Sequence, residues 1–83
     1  MKNFTEIIEQ RERIIANAKH IIILIENLNT LMKSLIDEGN YDAVPAIAVK
    51  ASNAKAKLTI MLEQNVEYDD AELIFEAQKE QAA

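Results

Sequence analysis

Eighty-three residues hold one domain with a marginal core, and a 49% apolar content with a single Gly and a single Pro points to an ordered, mostly helical chain. The formal charge of −5 opposes nucleic-acid binding at long range. The absence of cysteine excludes a disulfide frame, a thiol nucleophile and any cysteine-ligated metal.

The first predicted element is a helix over 4–38. Asn3 with Glu6 and Thr5 compete to cap it, and Gly39 follows the last periodic residue, Ile36, as a left-handed stop. At ~1.5 Å per residue, such a helix reaches roughly 50 Å. A compact chain of this length has a radius of gyration of only ~12 Å. The rod therefore cannot hide inside a globular monomer. Ile7, Ile14, Ile21, Leu28 and Leu35 recur every seven residues, with Leu24 and Leu31 in the second seam position. Ile8, Ile15, Ile22 and Ile36 form a neighbouring stripe, broken at Asn29. Two adjacent stripes on a sevenfold repeat read as a broad, coiled-coil-like bundle face. Ile21 to Ile25 place apolar side chains at every azimuth of one turn, which demands cover from more than one side.

A second helix is expected over 43–64, capped by Asp42 with Pro45 in its first turn and Asn65 as its stop. Its core face is Val44, Ile47, Ala51, Ala54, Leu58, Met61 and Leu62. Val49, Ala56 and Ile60 fall on the reverse side and invite a second packing partner. A third helix is expected over 70–81, with Asp69 and Glu72 as a capping box and Tyr68 stapled against Leu73. It is long enough to dock but too short to stand alone.

The predicted fold is all-α: one domain over 1–83, built as a long helical hairpin plus a short third helix and assembling into a helical bundle. Closing the Gly39 turn as an αα-hairpin sets Asn65 near Ile15, so the residues before Ile15 overhang the second helix. Leaving Ile7, Ile8 and Ile14 in water forfeits ~1.5–3 kcal/mol each, and a second copy of the chain is the simplest cover. The expected oligomer or partner interface is thus Ile7, Ile8, Ile14, Ile15, Ile21, Ile22, Ile23, Ile25, Val49 and Ile60.

Charge is unevenly spread: net +1 over 1–36, −3 over 37–42, +3 over 43–62 and −6 over 63–83. Lys50, Lys55 and Lys57 lack interleaved aromatics or arginines and do not share one face, so they fall short of a nucleic-acid patch. Arg11 is set among Ile7, Ile8, Ile14 and Ile15, and such an arginine must snorkel, pair with an acid or hold an anion. Arg11, Arg13, Lys19 and His20 are the candidate residues for a small anionic, nucleotide-like ligand, held between chains since they do not share one helix face. One histidine without spaced carboxylates builds no metal site. Glu6, Glu9 and Glu12, like Glu67 and Asp70, read as solvated acids rather than magnesium ligands.

No glycine-rich phosphate loop, catalytic motif or cofactor motif is present, so neither enzymatic activity nor a cofactor is expected. The apolar run at Ile21–Ile25 is far short of the ~20 residues a membrane span needs. Met1 to Thr5 carries no basic region leading into an apolar core, so no signal peptide is expected. The reading is a soluble, acidic, cytoplasmic homo-oligomer that acts by protein–protein interaction as a regulator, inhibitor or assembly adaptor. An oligomer sequestering a small anionic ligand is the alternative.

Overall fold

The computed structural model describes residues 2–82, and it is all-α. Helix α1 spans Phe4–Asp37, a single 3-10 turn spans Tyr41–Ala43, α2 spans Val44–Gln64 and α3 spans Tyr68–Ala82. The 34 residues of α1 account for the 54 Å long axis of the molecule, whose other extents are 29 and 14 Å. The helical hairpin and short third helix read from the sequence are present.

Each boundary has a local cause. Asn3 wins the competition for the first cap: its side-chain oxygen accepts the Glu6 N–H at 2.8 Å, and the Glu6 carboxylate accepts the Asn3 N–H at 3.3 Å. That reciprocal pair satisfies two donors that the first turn leaves without helical partners. At the other end Gly39 sits at φ +78°, and the Gly39 and Asn40 N–H groups close onto the carbonyls of Ile36 and Leu35. Asn65 ends α2 in the same left-handed region, at φ 55°, a conformation asparagine tolerates better than most side chains.

Two expected caps are corrected. Asp42 does not cap α2, because it lies inside the 3-10 turn. The Val44 N–H is satisfied by the Tyr41 carbonyl and Pro45 has no N–H, so the start of α2 needs little from a side chain. Asp69 does not cap α3 either. The Ala71 N–H already bonds the Glu67 carbonyl at 3.0 Å, so the helix begins at Tyr68 and Asp69 lies in its first turn. There its charge favours the positive end of the helix dipole. Leu73 is largely exposed, which removes the expected staple to Tyr68.

The core is assembled by all three helices. Ile14, Ile21 and Ile25 of α1 meet Ile60 and Met61 of α2 and Ala71 of α3, with Ala54, Leu58, Val66, Tyr68, Ile74 and Phe75 packed around them. Helix α2 packs against α1 on one side and against α3 on the other. This explains a third correction: Ile60, expected on an open reverse side, is buried because α3 docks there, while Val49 further along stays exposed.

The hairpin register follows the expected one. Arg11 reaches Asn65 and Arg13 reaches Glu67, so the α2–α3 connection crosses α1 where the short-loop geometry placed it. The connection also closes over part of the overhang. Ile14 is fully buried beside Val66 and Ala71 rather than left in water, while Ile7 and Ile8 remain exposed.

Candidate functional site

Eight apolar side chains are buried among the described residues, yet thirteen large ones are exposed, and nine of those thirteen lie on α1. The imbalance locates the candidate site. Ile8, Ile15, Ile22 and Ile36 sit seven residues apart or at a multiple of that, with Asn29 in the remaining position, and are between 42% and 49% exposed. At 100° per residue a sevenfold spacing drifts only about 20° per repeat, so these side chains form one continuous stripe. Ile23 and Phe4 extend the apolar surface, and Ile7 lies at its N-terminal edge. Leu24 and Leu31 make a smaller exposed pair elsewhere on α1.

The structure divides the expected interface residues. Ile7, Ile8, Ile15, Ile22, Ile23 and Val49 are open to solvent. Ile14, Ile21, Ile25 and Ile60 are not, because the chain's own helices cover them. The all-round apolar turn at Ile21–Ile25 is therefore half used: Ile21 and Ile25 face the core, while Ile22, Ile23 and Leu24 wait on the other sides.

The four residues considered for an anionic ligand do not converge. Arg11 Nη1 donates to the Asn65 side-chain oxygen at 3.0 Å, so its partner is an amide rather than an acid or an anion. Arg13 donates to Glu67 through both Nε and Nη2, at 3.1 and 2.7 Å. That hydrogen bond holds the Glu67 carboxyl below its usual range and raises the Arg13 guanidinium above its own. The pair is substantially exposed and solvent-screened, so it orients the α2–α3 connection more than it stabilises the fold. His20 borders a groove with Asn17, Ile21, Leu24, Glu67, Tyr68 and Asp69, whose two acids repel an anion. Lys19 and His20 together line a second, shallow groove with Glu12, Ile15, Ala16 and Ile23, which neither Arg11 nor Arg13 borders.

Lys57 is the residue that sequence reasoning missed. Its side chain is only 15% exposed, with Nζ 3.7 Å from Glu72 and 5.7 and 5.5 Å from the ring centres of Tyr68 and Phe75. Tyr68, Glu72 and Phe75 are spaced by four and three residues, so they share the face of α3 that meets α2. Lys57 is thereby committed to helix docking: it lines one groove with Lys50, but its charge is met by Glu72, and Lys55 lies outside that groove. The signal was the pattern Tyr68-x3-Glu72-x2-Phe75, a carboxylate between two aromatics on one helical face. Glu6 and Glu67 are likewise committed, to a helix cap and to Arg13.

No family model, curated protein or solved structure matches this chain. Among the described residues, no helix is long and apolar enough to cross a membrane.

Proposed function

We propose that this chain is a small, non-enzymatic helical protein that self-associates and acts by binding another protein, in the manner of a regulator, inhibitor or assembly adaptor. One observation carries the reading: the stripe Ile8, Ile15, Ile22 and Ile36 leaves a row of half-exposed isoleucines along the length of α1. Large contiguous apolar surface on a small protein marks an interaction site. Association supplies the burial that an 83-residue chain cannot find internally. A cytoplasmic setting is compatible with a cysteine-free chain. The ligand-sequestering alternative has weaker support, because Arg11 and Arg13 are already engaged by Asn65 and Glu67.

The reading separates into two measurements. Light scattering at about micromolar concentration, where an ordinary specific complex is formed, is expected to give at least twice the 9.4 kDa chain mass. A monomer removes the self-associating part. Affinity capture with the wild-type chain and with an Ile15→Ser/Ile22→Ser variant is expected to recover a protein partner only with the wild type. Equal recovery by both means that the stripe is not the binding surface. A thermal-shift screen with nucleotides is expected to leave melting unchanged, whereas a rise would favour the anionic-ligand alternative.

A further inference from the structure

Along one edge of the isoleucine stripe runs a second row with the same sevenfold spacing: Glu12, Lys19, Glu26 and Lys33. Each follows a stripe position by four residues, so each flanks Ile8, Ile15, Ile22 or Asn29 in turn. All four are exposed, and none belongs to either ion pair found among the described residues. The signs alternate strictly along the row. Read backwards, acid-base-acid-base becomes base-acid-base-acid, so the row is complementary to its own reverse.

That property selects a partner. We infer that the stripe of α1 docks on the same stripe of a second copy, antiparallel, about a two-fold axis at Ile22. This inference rests on the self-association proposed above and adds its geometry. In such an isologous contact each residue pair occurs twice. Ile22 meets Ile22 of the second copy, Ile15 meets its Asn29, and Ile8 meets its Ile36. Glu12 then lies beside Lys33 of the second copy, and Lys19 beside its Glu26. All four charges in each chain find an opposite charge. The overlap from Ile8 to Ile36 covers about 42 Å of helix.

The competing arrangements are worse for stated reasons. Slipping the antiparallel pair by one heptad in one direction sets Glu12 against Glu26 and Lys19 against Lys19. Slipping it the other way sets Lys19 against Lys33 and Glu26 against Glu26. Every charge-to-charge contact turns repulsive in both cases, and one charge of each chain is left facing the uncharged Thr5 or Asn40, so the alternation fixes the register as well as the direction. A parallel, in-register pair gains an Asn29–Asn29 contact. It directs the charged row toward the other flank of the facing helix, however, where Ile14 and Ile21 are already buried against the chain's own core. The four charges then go unpaired.

The chain has no cysteine, so single-cysteine variants report the geometry without background. Ile8→Cys and Ile36→Cys chains, mixed and oxidised, are expected to cross-link to one another, while each alone stays largely uncross-linked. Cross-linking of each variant with itself means a parallel pair and overturns the antiparallel assignment while leaving self-association intact. A monomeric wild type in sedimentation equilibrium overturns both. Charge reversal gives an independent readout. Glu12→Lys and Lys33→Glu should each weaken dimerisation by about tenfold, since each reverses two symmetry-related pairs. The combined variant should return to within about threefold of wild type, because opposite charges are restored across the axis. A combined variant as weak as the two changes added together contradicts the pairing.

Discussion

Ile14 and Ile15 are neighbours of identical chemistry, and so are Ile21 and Ile22, yet one of each pair is sealed and the other open: 0% against 42% exposed, and 8% against 44%. A single 100° step along α1 separates the side that α2, α3 and their connection cover from the side that no other described element covers. The sealed side is where local sequence meets a tertiary partner, namely Met61, Ile60, Val66 and Ala71. The open side keeps the same apolar repeat without such a partner. Packing of this kind stabilises the fold where it is satisfied, and where it is not the apolar surface is the one on which the proposed self-association rests.

Substitution across that divide gives the largest contrast. Ile14→Ala should destabilise the fold by about 2–5 kcal/mol, as a cavity opens in a site that is closed on all sides. Ile15→Ala, one residue away, should cost the fold less than about 1 kcal/mol and act mainly on assembly. Urea titration at a concentration low enough to keep the chain monomeric separates the two, and equal losses would erase the distinction between the sides.

Overpacking probes the sealed side with a smaller effect. Ala51 is buried on α2, and Ala51→Leu should cost about 1–3 kcal/mol because the extra methylenes have no space. Unchanged melting would mean that α2 can shift away from its neighbours.

The smallest expected effect belongs to the Arg13–Glu67 pair that ties the connection to α1. The folded Glu67 carboxyl is lowered by its hydrogen bond from Arg13, so its contribution is present above the ordinary carboxylate range and fades as the pH falls through the lowered value. Glu67→Gln should therefore melt slightly below wild type at neutral pH, with the gap closing under acid. A gap that widened on acidification would reverse the sign assigned to this carboxyl.

Much of this architecture was legible because it is local. The Asn3–Glu6 cap was one of two readings the sequence allowed, and the stops at Gly39 and Asn65 each depend on a few adjacent residues. The hairpin register followed from loop length alone. What could not be read depends on contacts between distant segments. Ile60 is covered by a helix that begins eight positions later. Ile14 is closed by a connection whose path is fixed by Arg11 and Arg13 reaching Asn65 and Glu67. Asp42 is no cap because a 3-10 turn satisfies the backbone that it would have capped, and Asp69 is none because α3 starts one residue before it. Of the candidate interface, the open stripe was visible as a sevenfold repeat, but which of two adjacent isoleucines faces inward was set by tertiary packing.

Assembly through the open side of α1 is read out by sedimentation equilibrium of the wild type beside the Ile15→Ser/Ile22→Ser variant. Both changes lie outside the core cluster, so the helical circular dichroism of the two proteins should match. The wild type is expected at no less than twice 9.4 kDa and the variant at 9.4 kDa. A wild type that sediments as a monomer, or a variant that keeps the wild-type mass, would contradict assembly through that side.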